Sequence, residues 1–111
     1  MSKYNSRKTV VDGITFDSKK EAKRYTELKK LEQDGEISDL RLQVPIELIP
    51  SYEIVIDGKK RKRRSTRYIC DFVYKVNGAD VYEDVKGRKT DVYSLKKKMF
   101  EYKFKKTIKE T

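Results

Sequence analysis

The chain contains no histidine, and its 111 residues include a single cysteine, Cys70. Those two absences exclude a Cys/His zinc site, a histidine general base, a Ser-His-Asp triad and an internal disulfide. Any catalysis must therefore use carboxylates, lysine, tyrosine, water or a metal held by oxygen. Long apolar runs are missing too. Nothing at the N-terminus has signal-peptide length, and no stretch is long enough to cross a bilayer, so a cytoplasmic protein without a membrane partner is expected. Hydrophobic residues make up 36% of the chain, below an average soluble domain even with the five glycines counted. A core that thin suits a homodimer.

Charge is abundant. Charged residues reach 41%, and 28 Lys and Arg against 18 Asp and Glu leave a net charge of +10. Eight tyrosines, four phenylalanines and clear apolar periodicity argue for a folded chain rather than a disordered one. The positive balance implies a polyanionic partner, most simply nucleic acid, because Lys and Arg that neutralise phosphates release condensed counterions.

The order of elements reads as one domain. Residues 1–11 form a flexible basic arm (Lys3, Arg7, Lys8), and 12–111 form the domain. Ser18 and Glu21 stand in capping-box relation before Tyr25, Leu28 and Leu31, which predicts a helix ending at Asp34-Gly35. Leu42, Val44, Ile46 and Leu48 alternate with Gln43, Pro45, Glu47 and Ile49 as in a strand, with Pro45 restricting it to a sheet edge or bulge. After Asp57-Gly58 comes the densest charge run, Lys59, Lys60, Arg61, Lys62, Arg63 and Arg64, with Arg67 beyond. It reads as a hairpin tip, either contacting phosphates as a DNA-binding element or simply solvated. Segments 67–76 and 79–86 join through Asn77-Gly78, a strong hairpin signal. From Thr90 or Asp91, the residues Val92, Leu95, Met99 and Tyr102 predict a second amphipathic helix with Lys96, Lys97, Lys103 and Lys106 outward. Helix, antiparallel strands, helix is an α+β or α/β order with a mixed sheet flanked by N-terminal and C-terminal helices.

A two-residue turn at Asn77-Gly78 sets Asp71 opposite Asp84. Like charges directly opposite each other destabilise a sheet, so a metal ion or Lys86 is the natural partner. Alternation puts Asp71, Asp84 and Lys86 on one face, and Cys70, Phe72, Tyr74, Val81, Glu83 and Val85 on the other. Two converging carboxylates can hold Mg²⁺, a hard cation that favours oxygen ligands and shares its waters with substrate phosphates. Lys86 could then orient the attacking water and offset charge in the transition state. The competing reading is an ion pair on a solvated sheet face.

Asp71, twelve intervening residues and then Asp84-Val85-Lys86 resemble the signature of the PD-(D/E)xK nucleases. Over about 11–102 the chain also resembles a family of small phage and prophage endonuclease-like proteins related to Holliday-junction resolvases and to the endonuclease subunit of Tn7-like transposases. That likeness rests on Val11-Asp12-Gly13-Ile14, on Phe16 to Ala22, on the leucine and Gln43 stretch, on Cys70-Asp71-Phe72, on Glu83 to Gly87, and on Lys89 to Tyr93 with Leu95-Lys96. The resemblance implies a restriction-endonuclease-like core and a phage- or prophage-encoded, Mg²⁺-dependent endodeoxyribonuclease acting in recombination or replication, with Mn²⁺ able to substitute and branched DNA as a substrate. In it, Asp71, Asp84, the Val85 carbonyl and Glu21 serve the metal, and Lys86 handles the nucleophile. Gln43, Tyr93 and Lys96 are candidates to line the site. Plainer readings stand beside these: Glu21 as a capping-box residue, Gln43 as an ordinary strand polar, and Tyr93 and Lys96 as solubilising residues of a helix start. The strand after the last helix is expected to be short, about 107–109. The rival function is a non-catalytic basic nucleic-acid-binding or host-interaction protein on a degenerate nuclease fold.

Overall fold

The computed structural model describes residues 8–86 and 89–111. A short antiparallel pair opens it, β1 (Thr9–Val11) and β2 (Ile14–Phe16), turning at Asp12-Gly13. The basic arm predicted over 1–11 is thus corrected for Thr9–Val11, which belong to a strand because Val11 and Ile14 pack beside Phe16 under the first helix. Of the remainder of that arm, Lys8 is exposed and outside any strand, and 1–7 lie outside the described residues.

Helix α1 (Lys19–Gln33) starts and stops where the sequence places it. The Ser18 hydroxyl accepts the Glu21 N–H at 3.1 Å and Asp34 caps the far end. Strands β3 (Ser38–Ile49), β6 (Thr66–Val76) and β7 (Ala79–Asp84) then form an antiparallel sheet, with β4 (Tyr52–Ile56) and β5 (Lys59–Arg63) as a separate hairpin between β3 and β6. After helix α2 (Asp91–Phe104), capped by Thr90, the short β8 (Lys109–Glu110) returns parallel to β7. The sheet order is β3-β6-β7-β8, so β3 is the edge strand that Pro45 calls for. The fold is α+β: a mixed sheet with α1 against one face and α2 against the other.

Two apolar layers hold it together. Under α1 lie Phe16, Ala22, Tyr25, Leu28, Ile37, Phe72 and Tyr74. Under α2 lie Ile46, Leu48, Tyr68, Cys70, Val73, Tyr93, Phe100 and Ile108. The helix α2 stripe predicted from Val92, Leu95, Met99 and Tyr102 is corrected here: Tyr93 and Phe100 face the sheet, while Val92, Leu95 and Tyr102 are 63%, 59% and 79% exposed. Aromatic area outweighs aliphatic period, since Phe100 packs edge-on against Tyr82 and Tyr68.

One irregularity positions everything that follows. Leu40 and Leu42 pack under α1, yet Val44, Ile46 and Leu48, in the same strand phase, pack under α2. The switch falls at Gln43, whose backbone is left-handed at φ 49°. Strand β6 switches at the same level, for Tyr68 and Cys70 lie under α2 whereas Phe72 and Tyr74 lie under α1. Strict alternation, which set Cys70 beside Phe72, is therefore corrected. A left-handed residue breaks the period of two, and the paired strands change face together between Leu42↔Phe72 and Val44↔Cys70 with their register unbroken.

Candidate active site

The Asn77-Gly78 turn sets Val76 against Ala79, and the pairing runs to Phe72↔Glu83, so Asp71 and Asp84 come next. At that level β6 changes face, and the Asp71 carboxylate meets the end of β7. One of its oxygens accepts the Val85 N–H at 3.0 Å and the other the Gln43 side-chain amide at 3.3 Å. Asp84 is 1% exposed. Its carboxylate accepts the Tyr68 hydroxyl at 2.5 Å and pairs with the Lys86 ammonium at 2.9 Å. Glu21, buried in the first turn of α1, stands close enough to Asp17, Asp71 and Asp84 to feel their charges and dipoles.

Three carboxyl groups so placed repel one another. Burial, the hydrogen bond that protonated Asp71 gives to Asp84 and the nearby Asp84 and Glu21 charges push Asp71 up to about 8. Burial, then the charge of Asp17, raises Glu21 as well, against the hydrogen bond to Asp71. Burial, followed by the bond to Asp84, raises the Tyr68 phenol, which therefore stays a proton donor. The Cys70 thiol, pushed up to about 12 mainly by burial, is an inert core group at neutral pH.

The predicted residues are not placed alike. Asp71, Asp84, Lys86, Glu21 and Gln43 come together. Tyr93 joins them: its ring lies 3.9 Å from the Lys86 ammonium, and its hydroxyl donates to Glu110 at 2.8 Å. Lys96 is half-buried on α2 and has no hydrogen bond or ion pair with these groups among the described residues. The run 59–64 is not a hairpin tip. Lys59–Arg63 is a strand, and the tip is Asp57-Gly58, both with positive φ, because the tight turn needs left-handed residues that Lys and Arg disfavour.

Sequence reasoning missed Tyr68, whose side chain shares a face with Asp84 only because β6 changes face between them. It also missed the fate of Glu83, which is fully buried under α1. Arg24 grips both Glu83 oxygens at 2.5 and 3.0 Å, with Tyr74 at 2.6 Å and Thr111 at 3.1 Å. Burial acts to raise Glu83, but Arg24 and Tyr74 outweigh it and hold the carboxyl below its usual range. Neighbours in sequence, Glu83 and Asp84 thus serve opposite faces. Beyond them, the end of β7 is clamped to Thr111, whose N–H donates to the Asp84 carbonyl and whose carbonyl accepts the Lys86 N–H, both at 3.0 Å.

Among the described residues, no three Asp, Glu, Cys or His side chains close into a metal cage. What stands there is Asp71 at the end of β7, Asp84 paired with Lys86 and Glu21 close by, and such carboxyl groups, once deprotonated, suit a hard cation that needs only one or two carboxylates.

The family model described as "Protein of unknown function (DUF1064)" matches residues 1–111. The chain belongs to this DUF1064 family. No curated protein and no solved structure gives a significant match. In this DUF1064 chain, the chemistry must accordingly be argued from the geometry itself.

Proposed function

We propose that this chain is a metal-dependent DNA endonuclease of the PD-(D/E)xK kind, hydrolysing phosphodiester bonds with Mg²⁺ or Mn²⁺. The observation that carries the reading is the convergence of Asp71 and Asp84 at the end of β7, where Asp71 accepts the Val85 N–H at 3.0 Å and Lys86 lies 2.9 Å from Asp84. Aligned apolar layers would satisfy the fold without two such groups, and holding both ionised side by side costs stability unless a cation offsets the charge. Asp71, Asp84 and the Val85 carbonyl would hold the metal, with Glu21 supporting it. When bound, the cation supplies charge neutralisation at a phosphate and eases the deprotonation of water.

The protein's own groups do the rest. Gln43 and the Val85 N–H fix the Asp71 carboxylate, and Tyr68 fixes that of Asp84. Lys86, steadied by the Tyr93 ring, presents its protons toward the attacking water and the charge that develops on phosphate oxygens. Seven basic residues between Lys59 and Arg67 supply affinity for the nucleic-acid backbone. Branched DNA as the preferred substrate, and a homodimer with one site per strand, belong to the same proposal. The test is a matched panel of duplex, nicked, flap and four-way DNA incubated with Mg²⁺ or Mn²⁺. Cleavage of any member supports the reading, and inertness toward all of them favours the non-catalytic binding module.

A further inference from the structure

The hairpin β4–β5 touches hardly any other element of the described chain. Every residue in both strands is exposed, including Tyr52, Ile54, Val55 and Ile56 at 41–64%. It is continuous with the body, since the register of Ile49↔Thr66 resumes at Tyr52↔Arg63 and runs to Ile56↔Lys59. Pro50, which has no N–H to give, interrupts the ladder between them. The β3–β6 ribbon therefore runs out past the core as a two-stranded arm, and the radius of gyration, 17.0 Å, exceeds the roughly 13 Å of a compact chain of this length.

The two faces of the arm differ. Side chains directly opposite one another across an antiparallel pair share a face. One face accordingly carries Tyr52 with Arg63, Ile54 with Arg61, and Ile56 with Lys59. The other carries Glu53 with Lys62 and Val55 with Lys60. Apolar and guanidinium groups alternate in one case, and an acid dilutes the charge in the other. At the arm's root, Ser51, Lys62, Arg63, Arg64, Ser65 and Arg67 line an open basic cleft of about 480 Å³.

We propose that this arm is a β-ribbon that enters the major groove of duplex DNA, with the Tyr52, Ile54, Ile56, Arg61 and Arg63 face against the base edges. The inference rests on DNA as the partner and deepens that reading by making recognition depend on groove contacts, not on charge alone. A two-stranded ribbon fits the B-form major groove, about 12 Å wide, and strands of five residues reach about 17 Å along it. Arginine forks match guanine edges, and aliphatic side chains suit thymine methyl groups. The deep, narrow major groove of A-form RNA does not admit such a ribbon. Lys62, Arg64 and Arg67 at the root lie where the flanking phosphates would run.

The experiment compares full-length variants carrying equal charge changes, measuring binding without metal so that cleavage plays no part. Arg61→Ser/Arg63→Ser alters the apolar face, Lys60→Ser/Lys62→Ser the other, and Ile54→Ser removes apolar surface without changing charge. Heparin, a polyanion without grooves, should lose affinity for both double variants equally. On duplex DNA, the arginine pair should cost about tenfold more affinity than the lysine pair, and Ile54→Ser should weaken duplex binding while leaving heparin binding alone. Equal losses for the two pairs on duplex, or an equal dependence for duplex RNA, would overturn the proposal. So would Ile54→Ser dissociating a dimer in light scattering with DNA binding intact, since a second copy would then be what covers the face. A protein that shows the asymmetry but cuts nothing keeps the ribbon and loses the nuclease, and one that cuts without the asymmetry does the reverse.

Discussion

Asp84 receives a tyrosine hydroxyl and a lysine ammonium, and it presses on Asp71, so its removal affects chemistry and charge together. Asp84→Ala should abolish cleavage while DNA binding stays equal or tightens, because a carboxylate beside phosphate repels it when no metal is present. Gel shifts and cleavage assays on one preparation would separate the two effects. Tyr68→Phe should keep the fold at a cost of about 1 kcal/mol and slow turnover, since only the bond that orients Asp84 is lost. The pH dependence follows from Asp71. Folded Asp71 keeps its proton to about pH 8, whereas in the unfolded chain it loses it near pH 3.9. The folded state binds more protons across that window, so metal-free stability contributed by this group falls as pH rises through it. Thermal melts in chelator should show that decline, flattened in Asp71→Asn, and Mg²⁺ should protect the wild type more at pH 9 than at pH 6. At this scale the placement of Asp71, Asp84 and Lys86 was legible, because Asn77-Gly78 sets their register. Tyr68 was not, because a strand period cannot foresee where it breaks.

The break itself belongs to β3. Gln43 holds a left-handed backbone inside a strand at a cost of order 1–3 kcal/mol, and in that conformation its amide meets Asp71. Gln43→Val, β-branched and intolerant of positive φ, should destabilise the protein by about 2 kcal/mol, while Gln43→Gly should be close to neutral in denaturant melts and still lose the contact to Asp71. Helix α1 is docked by the Arg24–Glu83 pair, which alternation does not reveal because its members come from a helix and a strand far apart in sequence. Arg24→Ala leaves a fully buried carboxylate without its cation, and a loss of about 3–5 kcal/mol is expected in urea unfolding. Caps and turns explain why α1 and the β6–β7 hairpin could be read directly: Ser18, Asp34 and Asn77-Gly78 act locally. Helix α2 was legible in extent but not in face, since two aromatics, Tyr93 and Phe100, override the aliphatic stripe.

As a whole molecule, the chain sets a charge-rich arm and the Asp71 carboxylate on one continuous ribbon, β3–β6, with the left-handed Gln43 beside Asp71 and the arm beyond Pro50. No helix among the described residues is long and apolar enough to cross a membrane. The mixed sheet was legible from the order of elements, whereas the arm was not: its basic strand read as a tip because charge density alone does not distinguish a turn from a strand. The proposed homodimer predicts twice the monomer mass in light scattering, with or without DNA. The account stands most directly on one measurement, metal-dependent cleavage of the branched and duplex panel by wild type beside Asp84→Ala. It predicts products only with wild type and only when Mg²⁺ or Mn²⁺ is present. Equal cleavage by both proteins, or none by the folded wild type on any substrate, would contradict it.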